Sequence, residues 1–236
     1  MHSSLFRIVR RFRCKPADLL SALLARLGPD GTLVLPLFNF DFAQGVAFDI
    51  RSTPSHMGVL TEIGRTWPGA VRTGHPIYSF AAIGARADDF AGVDNKSGYG
   101  ADSPFAIVRE LGGEIAALDL PDQHSMTFYH HVEEMHRVDY RLFKTFSGRY
   151  TDAHGCTEQR DYQLFVRDID RGVVTSVERM GERLWQKGLY RGDRPLHDAG
   201  LRIIDANAMF EEVSQVIRNG EAQDFLYRIQ RDQLSR

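Results

Sequence analysis

The segment at residues 16–38, PADLLSALLARLGPDGTLVLPLF, decides the fold class of this 236-residue chain. Leucines recur at three- and four-residue spacing along one helix face, at positions 19, 20, 23, 24 and 27. Pro16 suits the first turn of that helix, and Gly28 suits its C-terminal cap. The apolar run at 32–38 then predicts a strand covered on both faces. A helix followed by a buried strand indicates an α/β protein.

The rest of the chain continues this alternation and predicts one domain over residues 1–236, with a β-rich excursion after residue 138. Further helices are predicted at 57–67, 104–111, 126–135, 176–187 and 208–217. Further strands are predicted at 79–83, 114–120, 140–150 and 160–166. The last two strands are expected to form an antiparallel pair around a turn at 152–155, and 39–55 is predicted to be a long loop.

Composition excludes several classes of protein. The 29 basic and 31 acidic side chains nearly balance, so we expect no nucleic-acid partner. No apolar run reaches the ~18 residues that a membrane span needs, and the basic N-terminal segment does not resemble a secretory signal. The two cysteines, Cys14 and Cys156, form no CxxC pair and favour a reducing compartment. We therefore expect a soluble, cytoplasmic protein without a membrane partner, and a homodimer is one option for its assembly.

The densest polar chemistry lies in the predicted helix at 126–135. His130 and Glu133 are three residues apart and share a helix face, which is the arrangement that a general base needs. A metal-dependent hydrolase that uses His130, His131, Glu133 and His136 is an alternative. The segment lacks an HExxH motif, and the adjacent histidines point about 100° apart on a helix.

Two other segments combine small hydroxyl residues with glycine and proline. In 53–58 and 74–82, accessible backbone N–H groups suit a phosphate or another polar chain, although an ordinary turn has the same composition. Ser103 suits a helix N-cap before Pro104. That helix N-terminus could also face the anionic group of a ligand.

Seven motifs in order resemble the aminoglycoside 3-N-acetyltransferase family of acetyl-CoA-dependent enzymes. They are HSSL at 2–5, GTLVLP at 31–36, TPSHMGVLTE at 53–62, RTGHP at 72–76, SFAAIG at 79–84, SPF at 103–105 and TFYHHVE at 127–133. Each motif is weak by itself. Their order makes the resemblance specific.

The resemblance implies a three-layer αβα sandwich around a mixed central sheet, with acetyl-CoA as co-substrate in a cleft and no metal. His130 falls on the family's catalytic histidine, and Glu133 or Asp168 would orient its ring. Coenzyme contacts are implied for seven positions: Ser3, Ser4, His75, Ser79, Ser103, Phe105 and Thr127. The implied reaction transfers an acetyl group to an amine of a small-molecule aminoglycoside or related amino sugar, with His130 as general base.

The chain also departs from the family pattern. The family carries a further helix and strand before the HSSL motif, and we expect this domain to lack them. Arginines at 10, 11 and 13 replace a glycine-rich segment and could bring cations to phosphates. Four acidic residues could line a pocket for a polyamine or could be solvated surface charges: Asp41, Asp49, Glu134 and Asp168.

Three alternatives follow from these departures. The acceptor could be an amino sugar of polysaccharide or secondary-metabolite biosynthesis rather than an antibiotic. The metal-dependent hydrolase is the second alternative. The third is a non-catalytic binding protein that keeps affinity for the coenzyme.

Overall fold

The helix–turn–strand unit forms as the sequence predicts in the computed structural model, which describes residues 1–194 and 200–230. The helix spans Pro16–Leu27, with its proline in the first turn. Gly28 ends it at a φ of 75°, which glycine adopts without steric cost. The strand that follows is Thr32–Pro36, and its side chains pack on both faces.

Within the described residues, eight helices and twelve strands make up the fold. The helices are α1 Phe6–Phe12, α2 Pro16–Leu27, α3 Val59–Arg65, α4 Pro104–Glu110, α5 Phe128–Met135, α6 Glu178–Gln186, α7 Ala206–Arg218 and α8 Ala222–Phe225. The strands are β1 His2–Ser3, β2 Thr32–Pro36, β3 Phe48–Asp49, β4 Val71–Arg72, β5 Phe80–Gly84, β6 Glu114–Leu118, β7 Arg141–Thr151, β8 Thr157–Arg167, β9 Val173–Thr175, β10 Arg191–Gly192, β11 Leu201–Asp205 and β12 Tyr227–Ile229. Short 3₁₀ turns lie at Phe42–Gln44, Ala87–Phe90 and Asp122–His124.

The central layer consists of two adjoining sheets. One has the strand order β1-β6-β11-β10, and the other has the order β2-β5-β4. Only the pairing of β1 with β6 is parallel in these two sheets, so the layer is mixed. The sheets meet at the N-terminus, where the Met1 ammonium donates to the Val34 carbonyl at 2.6 Å.

Helices cover both faces of this layer. On one face, Leu33, Leu35 and Ile83 pack with residues of α2 and α3. On the other face, Val34 and Ala82 pack with residues of α4 and of the 3₁₀ turn Ala87–Phe90. The alternation of side chains along β2 and β5 therefore produces the three layers that the family resemblance implied.

The β-rich excursion forms as a hairpin. β7 and β8 pair over eleven residues each, from Arg141 opposite Arg167 to Thr151 opposite Thr157. The turn lies where it was predicted, and the Asp152 carboxylate accepts the N–H groups of His154 and Cys156 there. β3, which falls inside the predicted loop at 39–55, adds a parallel strand beside β7.

Other elements were not predicted, including β1, α1 and β11. β11 lies beside β6 in the central layer although it contains Arg202, which is 1% exposed. Within 1–194 and 200–230, no helix is both long enough and apolar enough to cross a bilayer.

Candidate active site

The helix α5 places His130, the predicted base, and Glu133 on one face. Its apolar residues Phe128, Tyr129 and Val132 are at most 1% exposed and fix the helix in the main core. His130 and Glu133 lie one turn apart. The imidazole keeps 19% of its surface exposed, whereas the Glu133 side chain keeps 2%.

The imidazole of His130 contacts a carboxylate and a guanidinium. Its Nδ1 lies 2.7 Å from Glu133 Oε2 and 2.8 Å from Arg141 Nη2. The Arg141 Nε is 2.7 Å from the same Oε2, so the three side chains form one buried cluster. Arg141 begins β7 and is held there because its Nη1 donates to the Phe165 carbonyl of β8 at 2.8 Å.

This cluster favours a neutral imidazole. Burial and the charge of Arg141 lower the pKa of His130 below its ordinary value, although Glu133 acts in the opposite direction. Burial acts to raise the pKa of Glu133, but Arg141 and the hydrogen bond from His130 outweigh it and the pKa is lowered. Nδ1 can donate to the Glu133 carboxylate or accept from Arg141 Nη2, but not both at once; with the proton on Nδ1, Nε2 carries the lone pair of the neutral ring.

A row of aromatic rings leads from β1 to His130. The ring centroids are 5.7 Å apart for His2 and Phe38, 4.3 Å for Phe38 and Tyr78, and 4.8 Å for Tyr78 and Tyr99. Tyr99 then meets the imidazole edge to face, with centroids 5.3 Å apart. Phe38, Tyr78 and Tyr99 are at most 8% exposed, so the row connects the HSSL motif to the base through the core.

The loop that carries Tyr99 is held from both sides. The Ser97 hydroxyl donates to Glu134 of α5 at 2.7 Å, and the Gly98 N–H donates to the Gln163 carbonyl of β8 at 2.9 Å. A side chain at Gly98 would meet Leu164 Cδ2 at 2.6 Å. A larger residue at this position would therefore have to displace the end of the Leu164 side chain.

Three of the predicted coenzyme residues are half-buried, and all three lie at the ends of elements. Ser3 and Ser4 follow one another at the end of β1, where the Ser4 N–H donates to the Leu118 carbonyl of β6 at 2.9 Å. Thr127 occupies the position before α5. These hydroxyls are accessible from the surface.

The other four predicted coenzyme residues are buried and make internal contacts. His75 Nδ1 accepts the N–H groups of Ile77 and Tyr78 at 3.2 and 3.0 Å, and burial lowers the pKa of His75 to about 4. The Ser79 hydroxyl accepts from Arg72 at 3.2 Å. Ser103 precedes α4 as predicted, but its hydroxyl caps no N–H and is 0% exposed. Phe105 packs in the core against Phe80, with centroids 5.1 Å apart.

Comparison with known proteins places the chain in a family. The family model described as aminoglycoside 3-N-acetyltransferase matches residues 1–218. The chain belongs to this family. Aminoglycoside N(3)-acetyltransferase IV from Salmonella sp. is 34% identical over 143 residues, which are 59% of this chain and 53% of that protein.

A second relative and two solved structures agree with this assignment. Aminoglycoside N(3)-acetyltransferase IX from Micromonospora chalcea is 32% identical over 64% of this chain and 59% of its own length. The chain thus spans little more than half the length of these curated relatives. The crystal structure of AAC(3)-Xa superposes with a TM-score of 0.74 at 27% identity, covering 88% of this chain and 81% of its own. The AAC-IIIb binary with CoASH has a TM-score of 0.72 at 24% identity over 87% and 84%, which shows the fold alone.

The histidines of this aminoglycoside 3-N-acetyltransferase family member do not converge on one point. His131 Nδ1 donates to the Tyr99 carbonyl at 2.8 Å, and His136 Nε2 lies 2.8 Å from the Ser214 hydroxyl. Among the described residues, no group of three or more His, Cys, Asp or Glu side chains is placed to hold a metal ion. The cluster proposed for a metal-dependent hydrolase is therefore not assembled.

The carboxylate that contacts the imidazole in this family member is Glu133. Asp168 lies just beyond β8, where its Oδ1 accepts the N–H of Arg171 at 3.2 Å. Of the other acidic candidates, Asp49 pairs with Arg51 at 2.7 Å, and Asp41 lies 3.6 Å from His56.

Sequence reasoning missed two residues that touch His130. Arg141 lies eleven residues beyond the histidine, and Tyr99 lies on a separate loop. No signal in the sequence marked Arg141, because most residues of β7 are exposed and a charged residue is ordinary in such a strand. None marked Tyr99 either.

Proposed function

We propose that this chain is an acetyl-CoA-dependent N-acetyltransferase that acetylates an amine of an aminoglycoside or related amino sugar. One observation carries the proposal: a partly exposed imidazole, depressed in pKa, is held by Glu133 and Arg141 in a member of this family. A neutral imidazole at neutral pH is the form that can accept a proton.

His130 acts as the general base through Nε2. As the nitrogen of the acceptor amine forms its bond to the acyl carbon, Nε2 takes the N–H proton. The same nitrogen returns that proton to the sulfur as the carbon–sulfur bond breaks, so the products are an amide and a free thiol. Proton transfer by a positioned side chain contributes about 10²–10⁴ in rate.

Glu133 and Arg141 are positioning residues for this step. The carboxylate fixes the ring through Nδ1 and stabilises the imidazolium that forms during transfer. The guanidinium neutralises the carboxylate and keeps the resting imidazole unprotonated. Glu133 acts to raise the pKa of His130 and Arg141 acts to lower it. Their combined effect leaves an imidazole that can accept a proton near neutral pH.

The coenzyme supplies an acyl group already activated as a thioester, so no covalent enzyme intermediate is needed. Some of the residues present can hold the coenzyme. The hydroxyls of the half-buried residues Ser3, Ser4 and Thr127 can hold its polar chain. Exposed arginines at 10 and 13 can pair with its phosphates. His75 and Ser79 are 0% exposed and support the surrounding turns from inside the protein.

The direct test is an assay of thiol release from acetyl-CoA with a panel of aminoglycosides and biosynthetic amino sugars. We expect turnover with at least one amine, and the panel identifies which acceptor class is used. If no amine supports turnover and calorimetry detects no binding of the coenzyme, the proposal is wrong. Coenzyme binding without any turnover would indicate the non-catalytic alternative.

A variant at the base separates catalysis from binding. We expect His130→Asn to reduce kcat by about 10²–10⁴ while coenzyme affinity stays close to that of the parent. The matched control is His124→Asn, which changes an exposed histidine in the 3₁₀ turn before α5. Equal activity of both variants would contradict the role of His130.

We also propose that the protein acts in the cytoplasm, and that its assembly is a homodimer. Both Cys14 and Cys156 are free thiols, in agreement with a reducing compartment. Sedimentation of the purified protein tests the assembly.

A further inference from the structure

Two arginines face each other at the open end of the hairpin. Arg141 of β7 lies directly opposite Arg167 of β8 in the strand register. Residues paired in this way share a face of the sheet, with Cβ atoms about 4.5–5.5 Å apart, and like charges directly opposite each other are destabilising. An arginine pair at this position therefore needs a compensating negative charge.

The charge of Arg141 is compensated inside the protein. Its Nε lies 2.7 Å from Glu133 Oε2, and its side chain is 5% exposed. The same carboxylate oxygen contacts the imidazole of His130 at 2.7 Å. Arg141 and the imidazole thus share the one negative charge of Glu133, and none of it is left for a second arginine.

The charge of Arg167 has no such partner. The residue is exposed, and within residues 1–194 and 200–230 its guanidinium forms no ion pair and no side-chain hydrogen bond. Its charge nevertheless reaches the candidate active site, because it acts to lower the pKa of His130. In the part of the chain that the structure describes, an unpaired cation therefore lies within electrostatic range of the proposed base.

The neighbouring carboxylates are directed elsewhere. Glu134 is 2% exposed and accepts the Ser97 hydroxyl at 2.7 Å, so it holds the loop beside α5. Asp168 follows Arg167 in the sequence, and its Oδ1 accepts the N–H of Arg171 at 3.2 Å in the turn after β8. Neither carboxylate is paired with Arg167.

The surface next to Arg167 is aromatic. Phe165 lies opposite Phe143 on the face that carries the two arginines, and the two ring centroids are 4.8 Å apart. Phe165 is 3% exposed and Phe143 is 36% exposed. The guanidinium carbon of Arg137 lies 4.7 Å from the centroid of the Phe143 ring. A negative group beside this surface is partly removed from water, which strengthens its attraction to a guanidinium.

Arg167 and the residues proposed for the coenzyme lie on different elements. Ser3 and Ser4 lie at the end of β1, and Thr127 precedes α5. Arg167 ends β8 and faces the active site from the side of Arg141. This separation favours the acceptor, rather than the coenzyme, as the source of a negative group at Arg167.

We propose that Arg167 is a specificity-determining residue that binds a negatively charged group, a phosphate or a carboxylate, carried by the amino-sugar acceptor. The inference rests on the proposed function, since it names the class of acceptor whose proton His130 takes. The planar guanidinium can donate two parallel hydrogen bonds to such a group, which fixes the orientation of the sugar as well as its position. The preferred acceptor is then an amino sugar with an anionic substituent instead of a polycation.

Equilibrium binding to the full chain tests this inference without turnover. The probes are glucosamine, its 1-phosphate, its 6-phosphate and 2-amino-2-deoxyglucuronic acid, which share one amine and differ in the anionic group. We expect calorimetry to show at least tenfold tighter binding of one or more charged sugars than of glucosamine, because hydrogen bonds to charged groups are the strong ones. The tightest probe distinguishes phosphate from carboxylate. If no charged sugar binds more tightly than glucosamine, the inference is overturned.

A variant assigns the preference to one side chain. We expect Arg167→Gln to abolish the preference for the charged sugar and to leave the affinity for glucosamine unchanged. The matched control is Arg149→Gln, which removes an exposed arginine from the same hairpin and should keep the preference. A preference that survives in Arg167→Gln would overturn the assignment.

The coenzyme provides a second arm of the same measurement. We expect Arg167→Gln to bind acetyl-CoA and its 3′-dephospho form as the parent does. Weaker binding of acetyl-CoA alone would place a coenzyme phosphate at Arg167 and would overturn the assignment to the acceptor.

The transfer assay separates this inference from the proposed function. Turnover that is equal for charged and uncharged amino sugars would retain the N-acetyltransferase and overturn the role of Arg167. A binding preference for charged sugars that is lost in Arg167→Gln, without thiol release from acetyl-CoA, would support the anion site and contradict the proposed activity.

Discussion

Burial and, after it, the guanidinium of Arg141 lower the pKa of His130, and the pH dependence of the proposed reaction tests the contribution of Arg141. Because the guanidinium lowers the pKa of His130, its removal in Arg141→Gln raises that pKa. A base must be unprotonated, so the acid limb of kcat/KM moves to higher pH in the variant. Glu133→Gln moves the limb to lower pH, since Glu133 acts to raise the same pKa.

The control for this measurement is Arg149→Gln, which removes an exposed arginine of the same strand. Its pH profile should match that of the parent. An Arg141→Gln profile with an unmoved acid limb would show that the imidazole does not respond to the guanidinium.

His75 makes folding sensitive to acid. Burial lowers its pKa from 6.5 to about 4. Between these values the unfolded chain binds a proton that the folded chain does not, so stability is lost as the pH falls from about 6.5 toward 4. Each such proton contributes about 1.4 kcal/mol per pH unit to the loss. Denaturant unfolding across this pH range measures the slope.

The substitution His75→Asn checks the assignment. An asparagine Oδ1 can accept the N–H groups of Ile77 and Tyr78 in place of Nδ1, and asparagine does not titrate. We expect proton uptake on unfolding to decrease by about one near pH 5. An unchanged uptake would assign the acid sensitivity to other histidines.

The sequence predicted the contact between His130 and Glu133 but not its surroundings. The spacing of His130 and Glu133 was sufficient, because residues three apart on a helix must be neighbours. Arg141 reaches the pair only through the packing of β7 against α5, which spacing does not reveal. The Gly/Pro-rich segments around His75 and Ser79 suggested accessible turns, yet the fold buries both side chains.

The loop at residues 97–100 depends on close contact with the hairpin. A methyl group at Gly98 would lie 2.6 Å from Leu164 Cδ2 and 3.3 Å from Tyr78 Cδ2. We expect Gly98→Ala to destabilise the protein by about 1–3 kcal/mol and to lower activity, because the loop carries Tyr99 against His130. Thermal unfolding and the transfer assay measure the two effects.

A double variant with Leu164→Ala tests the cause. The smaller side chain makes room for the new methyl group, so the two changes should cost less together than the sum of their separate effects. Additive costs would place the strain elsewhere in the loop.

Elements were predictable where periodicity was long and unbroken. The 11-residue strands of the hairpin and the helix Pro16–Leu27 appear within a few residues of their predicted bounds. β11 was missed because it is short and contains Arg202. This arginine is tolerated in the interior since it donates to the Leu120 carbonyl and to the Ser125 hydroxyl. These two hydrogen-bond partners lie about 80 positions from Arg202 in the sequence.

Asp122 connects distant parts of the molecule. Its carboxylate accepts the hydroxyl groups of Tyr129 in α5 and Tyr190 before β10, and it lies 3.5 Å from Arg202 Nη2 in β11. The change Asp122→Asn leaves the buried guanidinium without its counter-charge. We expect a loss of about 3–5 kcal/mol in the free energy of unfolding, measured by urea denaturation.

The companion variant Asp122→Asn with Arg202→Met removes both charges and should recover part of that stability. Burial acts to raise the pKa of Asp122 more strongly than Arg202 lowers it. A loss below about 1 kcal/mol in Asp122→Asn would therefore mean that the carboxyl is already protonated at the pH of the measurement.

The overall architecture was predictable in class but not in connectivity. Helices on both faces of a mixed sheet followed from the alternation of elements and from the family resemblance. The division of the central layer into two sheets could not be predicted in the same way. The contact between Met1 and Val34, where the two sheets meet, joins residues far apart in sequence.

The long hairpin separates Arg141 from its turn. Arg141 lies at one end, whereas the turn at Asp152 lies about 37 Å away at ~3.4 Å per residue. The exposed thiol of Cys156 in that turn offers an attachment point for a fluorescent dye. A dye there would stay remote from the imidazole, so the fluorescence of the turn could be followed without disturbing the proposed chemistry.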